Sequence, residues 1–392
     1  MRSILLVTLL GLLQTAGFGG TPVFHSELIF PPQNIHNHSS SIVETRDGDL
    51  LVCWYHGSGE RTADDVKILG SRRHPGQTNW ESPFVMADVP GFPDTNPAMV
   101  ISPANKLFIF WANIVANQWG TALLRMKTST DFEQASGPPR WNWQEVILLK
   151  PLNFEEGFVQ KAAGLLPLVK KHPEFRKEIE EAICSAGNKF QRRIGWMPRI
   201  HPLILPSGRM LVPLYSDVFS VSVIAISDDL GKTWSCSEPL LGIGNVQPSL
   251  VLKKNGTIAA FMRDNGPGLK IQYSESTDQG VHWSKVRYLN IPNPGSSVDV
   301  VALKNGHWVM VCNNTTDGRN RLAVFLSENE GQSWPWMRYL ENVKKGVGGY
   351  SYPSVIQARD GSIHVTYSWS ERGKGQSIKH AQFNEDWIRR GN

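Results

Sequence analysis

Ser227-Asp228-Asp229-Leu230-Gly231-Lys232-Thr233-Trp234 recurs as Ser276-Thr277-Asp278-Gln279-Gly280-Val281-His282-Trp283 and again as Ser327-Glu328-Asn329-Glu330-Gly331-Gln332-Ser333-Trp334. The shared frame is Ser-x-(Asp/Asn)-x-Gly-x-(Thr/Ser/His)-Trp. Asp or Asn accepts local backbone hydrogen bonds, Gly takes the positive-φ position, and Trp pins the turn onto a sheet. A hairpin turn repeated at this interval belongs to a radial or solenoid architecture. The boxes are read as structural and are given no chemistry.

A second repeat runs in phase with the first: strand, a turn with Asn, Asp or Ser next to Gly, and another strand. Its copies begin at His38-Ser39-Ser40-Ser41, Asn96-Pro97-Ala98, Arg199-Ile200-His201-Pro202, Gln247-Pro248-Ser249, Val298-Asp299-Val300 and Tyr352-Pro353-Ser354. The turn glycines Gly208, Gly256, Gly306 and Gly361 recur at about 50 residues, the length of a four-stranded blade. Six copies predict an all-β, six-bladed β-propeller over residues 21–392. Degenerate boxes at Ser71 to Trp80 and at Ser129-Thr130-Asp131 extend the pattern into the first half. Around 155–195 the pattern breaks: mixed charges around Leu165, Leu166, Leu168, Val169, Phe175 and Ile179 predict a helical insertion, split at Pro173. It is read as a surface insertion in preference to a functional lid. The last blade has no fourth strand after Ile378-Lys379-His380-Ala381, and Phe24 to Phe30 is the strand expected to close the ring.

The chain has 392 residues, right for one closed propeller. Residues 1–20 open with Met1-Arg2, run apolar from Ile4 to Leu13 and end in small residues. They read as a secretory signal, which predicts a secreted or periplasmic protein. No later stretch is long enough to cross a membrane, so no membrane insertion is expected. Four cysteines, Cys53, Cys184, Cys236 and Cys312, are few for a disulfide scaffold and lack metal-ligand spacing. No metal site and no cofactor is predicted. A net charge of +5 without a basic run argues against a nucleic-acid partner and suits an acidic ligand.

A propeller gathers side chains from equivalent strand ends of different blades at one end of its channel. Gly59-Glu60-Arg61-Thr62-Ala63-Asp64-Asp65 follows the second strand of the first blade, Arg263 ends the corresponding strand of the fourth, Arg319 and Arg321 precede the last box, and Tyr350 and Tyr352 open the sixth blade. Arginines converging from separate blades suit a carboxylate, which a guanidinium grips with two parallel hydrogen bonds.

The boxes, the blade count and the order of these motifs resemble the sialidase (neuraminidase) superfamily with its Asp-box repeats, over residues 35 to 370 apart from the insertion. The resemblance implies a sugar carboxylate held by three arginines, an Asp on the first-blade loop as acid/base, and a Tyr nucleophile assisted by a Glu. On that pattern Asp64 or Asp65 is the acid/base, with Arg61 beside it. Arg263 in Phe261-Met262-Arg263 and Arg321 in Asn320-Arg321-Leu322 are the second and third arginines, and Tyr352 is the nucleophile. Two positions depart from the pattern. His38 stands where the first Arg is expected, and Gln247 stands where the Glu is expected. A glutamine amide cannot take a proton from tyrosine.

The expected function is a secreted exo-glycoside hydrolase acting on an acidic glycan or oligosaccharide, releasing sialic acid or a related carboxylated sugar. Asp64, Asp65, Tyr352 and Gln247 are the expected catalytic set. His38, Arg61, Arg263 and Arg321 are the expected substrate-binding set. A uronate lyase using Tyr352 or Tyr55 with His38 or His56 is the alternative, since it needs no Glu partner. A glycan-binding propeller without turnover is the third reading.

Overall fold

A computed structural model describes residues 20–391 of the protein. The signal sequence expected over 1–20 therefore lies, but for Gly20, outside the described residues. Six antiparallel sheets follow one another around an axis. Their innermost strands are His36–Glu44, Asp94–Ile101, Met197–Pro198, Asn245–Leu252, Asp299–Ala302 and Gly348–Gln357, for blades 1 to 6. In blade 3 that strand is broken: Met197–Pro198 and Leu203–Ile204 each pair with Met210–Ser216. Pro198 and Pro202 have no N–H to give to a ladder, so Arg199 to His201 leaves the sheet between them.

The boxes explain how one blade locks to the previous one. Ser227 Oγ accepts from Gly231 N at 2.8 Å, and Asp229 accepts from Thr233 N at 2.9 Å. Asp278 and Asn329 repeat the second bond to His282 N and Ser333 N. Gly231 has φ +86° and Gly280 has φ +91°, values that L side chains avoid. A Cβ at Gly231 would stand 3.3 Å from Phe108 of blade 2, and one at Gly280 would stand 3.2 Å from Leu211 of blade 3. The glycines thus let each turn sit flat on the neighbouring blade, where Trp234 meets Phe110 edge-on at 5.8 Å.

Phe24–Leu28 closes the ring, pairing antiparallel with Gly375–Phe383 from Phe24↔Phe383 to Leu28↔Lys379. Glu27 on this strand reaches both sides of the seam. It accepts from Arg73 and Trp80 of blade 1 at 2.8 and 3.0 Å and meets His380 of blade 6 at 2.8 Å. Burial alone would raise the Glu27 carboxyl, but His380, Trp80 and Arg73 hold it down at about 2 from an ordinary 4.5. His364, 2.9 Å from His380, is pushed down to about 3 by burial and then by repulsion from His380 and Arg73.

Both groups bind protons less readily when folded, so both stabilise the fold above their unfolded pKa values and lose that contribution as pH falls. The window runs from about 6.5 for His364 and 4.5 for Glu27 down to their folded values. Thermal melts between pH 7 and 3.5 are expected to show a steep fall in Tm. Glu27→Gln is expected to cost about 2 kcal/mol of stability at pH 7, read as a lower Tm, and to flatten the acid limb below pH 4.5. An unchanged limb in that variant would remove Glu27 from the ring closure.

The insertion is helical, as expected, and Pro173 opens its second helix where the break was predicted. It comprises α1 (Glu155–Ala163), a single 3₁₀ turn at Leu166–Val169 and α2 (Pro173–Ala186). Phe154 and Phe158 stack at 4.7 Å and pack against Phe219, and Trp196 joins them. These buried rings fix the insertion to blades 2 and 3 as a wall. Among the described residues no helix is long and apolar enough to cross a membrane.

Candidate active site

Four innermost strands carry the same irregularity. Each has a register shift, between His38 and Ser41, Thr95 and Ala98, Val246 and Ser249, and Ser351 and Ser354. Inside each bulge one residue takes a left-handed backbone: Ser39 (φ 63°), Asn96 (51°), Gln247 (56°) and Tyr352 (56°). A non-glycine residue there costs on the order of 1 kcal/mol. Proline follows Asn96, Gln247 and Tyr352, so the ladder is already short of a donor where the extra residue sits. The bulge turns Asn96, Gln247 and Tyr352 toward the axis, into a cavity of about 520 Å³.

A second tier comes from the loops that follow the second strand of blades 1 to 5. Glu60 of blade 1, Trp119 of blade 2, Asp217 of blade 3, Asn265 of blade 4 and Arg319 of blade 5 line the same cavity. Arg263, the next-to-last residue of Ile258–Asp264, completes the basic side. Its NH1 donates to Tyr352 OH at 2.9 Å and lies 3.4 Å from Gln247 Oε1. Gln247 Nε2 donates to the same phenol at 3.3 Å. The guanidinium of Arg319 stands 5.2 Å from the Tyr352 ring centre, and the ring of His38 lies 4.2 Å from it.

These contacts set the protonation states. Burial would raise the Tyr352 phenol, but Arg263 and Arg319, with Gln247 and Arg199 behind them, bring it below the ordinary value of 10. His38 is held well below the usual histidine range by burial and by Arg319, so it stands neutral. Glu60, 3.3 Å from His36 Nε2 and accepting from Tyr55 OH at 2.8 Å, is held down at about 2 and is a fixed anion. Asp217 is raised above the ordinary carboxyl value: loss of solvent at the cavity wall opposes its charge, an effect that Arg263 and Arg61 only partly offset and to which Glu60 adds a smaller repulsion.

The structure brings together four of the residues expected from sequence: His38, Gln247, Arg263 and Tyr352. It leaves Arg321 outside the cavity. Arg321 begins the strand Arg321–Ser327 with its side chain exposed and is paired with Asn342. Arg319, two residues earlier, lies in a loop whose carbonyl accepts Tyr350 N at 2.7 Å, and this tether folds it toward blade 6. Asp64 and Asp65 also miss the cavity. Asp65 closes its own loop by accepting from Ser58 N and Oγ, and Asp64 accepts from Asn117 Nδ2 at 2.8 Å. Arg61 packs on Trp119 at 5.3 Å from the ring centre, beside the cavity mouth.

Tyr55, named for the lyase alternative, lines the cavity, and so do Asn96, Trp119, Glu178, Tyr215 and Asp217, which were not expected there. Asn96 was accessible from the repeat, since Asn96-Pro97 occupies the place of Gln247-Pro248 and Tyr352-Pro353. Glu178 comes from α2, so the insertion read as a surface feature walls the site. Among the described residues no three His, Cys, Asp or Glu side chains converge as metal ligands.

The repeat found in sequence also carries the ancestry. The family model of the BNR repeat-like domain matches residues 48–170 and 196–365. The chain belongs to this family. As a BNR-repeat propeller it departs from the shared pattern over 171–195, the interval that holds α2. An anhydrosialidase from Macrobdella decora is 26% identical over 186 residues, 42% of this chain and 24% of that protein. The matched region thus spans about a quarter of that relative's length. Among solved structures, a protein of unknown function from Dyadobacter fermentans superposes with a TM-score of 0.68 at 13% identity, covering 92% of this chain and 97% of that one. A leech intramolecular trans-sialidase, solved with 2,7-anhydro-Neu5Ac, gives 0.68 at 13% identity over 96% of this chain and 72% of that one. A Streptococcus pneumoniae sialidase gives 0.66 at 13% identity over 92% and 71%. These likenesses establish a divergent, sialidase-fold six-bladed propeller.

Proposed function

We propose that this protein is a secreted exo-glycoside hydrolase that releases a terminal carboxylated sugar, sialic acid or a related acid, from an acidic glycan. The observation that carries the reading is Tyr352 OH held at 2.9 Å by Arg263, with Arg319 over the same ring. Arg263 and Arg319 hold the sugar carboxylate, and neutral His38 donates or accepts one further hydrogen bond. Tyr352 loses its proton to cavity water, and its oxygen attacks the anomeric carbon. The bond to the leaving oxygen breaks as that oxygen takes a proton from Asp217. Water then attacks the same carbon, returns its proton to Asp217 and frees the Tyr352 phenolate, which regains its proton from cavity water. A tyrosine suits this step, because a carboxylate nucleophile would be repelled by the substrate's own carboxylate. Gln247 contributes an N–H to the phenolate and takes no proton.

Asp217 replaces Asp64 and Asp65 as the proposed acid, since it lines the cavity and its carboxyl is raised above the ordinary value, the direction a general acid needs. Asp217→Asn is expected to lower kcat by about a hundredfold on substrates with a poor leaving group and far less on an activated aryl glycoside. Equal losses on both would reassign the acid.

One contact favours a second reading. Neutral His38 lies against the Tyr352 ring at 4.2 Å, and among the described residues the phenol is bonded by Arg263 and Gln247 and by no carboxylate. A uronate lyase could use that pair to remove the proton beside an arginine-neutralised carboxylate. The purified mature protein, assayed on sialosides and on uronate-containing oligosaccharides, separates the two. Released sugar acid supports the hydrolase, unsaturated ultraviolet-absorbing product supports the lyase, and binding without either product leaves a lectin.

A further inference from the structure

Beneath the cavity lies a cation that the mechanism above does not use. Arg199 sits in the break of the blade 3 strand and is 1% exposed. Its NH1 donates to Ser40 O of blade 1 at 3.2 Å and its NH2 to Pro353 O of blade 6 at 2.9 Å, while Nε finds no acceptor. Among the described residues Arg199 makes no ion pair. The buried carboxylate of Asp299 is engaged by His201 at 3.3 Å, by Ser249 Oγ at 2.8 Å and by Val355 N at 2.9 Å. The Arg199 guanidinium lies 4.9 Å from the centre of the Tyr352 ring. A buried guanidinium without a contact ion pair, aided only by the more distant charge of Asp299, is costly, and such a group persists where another feature of the structure requires its charge.

We propose that Arg199 is a positioning residue for Tyr352, a permanent buried cation that stabilises the phenolate and so supplies by charge part of what a partner carboxylate would supply as a base. The proposal rests on Tyr352 being the reacting group. Three guanidiniums surround this phenol, but they differ in what substrate does to them. Arg263 and Arg319 face the cavity, so a bound carboxylate neutralises their pull on Tyr352 when the phenolate is needed. Arg199 lies below the ring, tied to two backbone carbonyls, where a sugar carboxylate cannot pair with it. Burial lowers Arg199 itself to about 10, which leaves it charged at neutral pH. Burial works against an ionised Tyr352, yet the phenol stands below its ordinary value, with Arg199 among the causes.

A purely structural brace between blades 1, 3 and 6 would have the same contacts, so the test reads ionisation. The ultraviolet titration of the protein minus that of Tyr352→Phe isolates Tyr352 without any substrate. The expected midpoint lies below the ordinary tyrosine value of about 10. Arg199→Lys, which keeps the charge, is expected to hold most of the shift, and Arg199→Met to raise the midpoint by about one pH unit or more. Melting curves of both variants run alongside. A midpoint that Arg199→Met leaves unmoved, or that both variants move equally, assigns Arg199 to the brace alone. If Arg199→Met does not fold, the unmutated protein and Arg199→Lys still decide, because a Tyr352 that titrates at or above about 10 in the unmutated protein overturns the proposal. A lowered, charge-dependent midpoint with no turnover of any acidic glycan would keep this role and remove the hydrolase. Turnover with an ordinary midpoint would do the reverse.

Discussion

Tyr352→Phe is expected to lower kcat by about a thousandfold or more while changing the affinity for an acidic sugar only a few-fold. The phenylalanine ring keeps the packing that Tyr352 makes with His38, Arg199 and Arg319, and it loses only the hydroxyl bonded to Arg263 and Gln247. Melting should therefore be unchanged, and the loss should appear in kcat with KM nearly constant. A variant that keeps a tenth or more of the turnover would show that another group attacks the anomeric carbon. Parallel loss of binding and stability would place Tyr352 in the core of the propeller and out of its chemistry.

The second large effect falls on Arg263. Arg263→Met removes a guanidinium that is expected to hold the substrate carboxylate and that already donates to Tyr352 at 2.9 Å. Charge-assisted bonds of this kind contribute about 1.5–3 kcal/mol each, so kcat/KM is expected to fall by about a thousandfold, divided between weaker binding and a less ionised Tyr352. Arg263→Lys should restore only a small part, because an ammonium cannot present two parallel donors to a carboxylate. The contrast with Arg321→Met is diagnostic. Arg321 is exposed at the start of its strand, outside the cavity, and its replacement should leave kcat/KM within about a factor of two. Steady-state kinetics of the three variants on one sialoside or uronide measures all of this. Equal effects of Arg263→Met and Arg321→Met would mean that the carboxylate binds elsewhere.

The fold was legible because its determinants are local. Ser227 and Asp229 bond within their own turn, Gly231 takes its backbone angle for the same turn, and the copies at Ser276 and Ser327 repeat the chemistry. The closing strand was legible for a related reason: the last blade was one strand short and Phe24 to Phe30 was unassigned. Part of the site was legible as well, since Tyr352 and Gln247 lie on repeated strand ends whose direction the bulge fixes. Loops carry no such periodicity. Choosing Arg319 over Arg321 required knowing that the Arg319 carbonyl is tied to Tyr350 N, a contact between blades 5 and 6. Asp64 and Asp65 stand in the expected loop, but Ser58 and Asn117 hold them away while Glu60 turns inward to Tyr55. Asp217 and Glu178 carry no signal of their own in sequence. They reach the cavity because a blade 3 loop and a packed helical insertion place them there.

In the proposed reaction Tyr352 forms a bond to the sugar. Incubating the protein with a fluorinated acidic glycosyl fluoride, which slows release of a glycosyl intermediate, and mapping the peptides by mass tests it directly. One added sugar acid is expected on the peptide that contains Tyr352, absent from Tyr352→Phe. An unmodified Tyr352 in protein that still turns over an acidic glycan, or an adduct carried by Glu60 or Asp217, would contradict it.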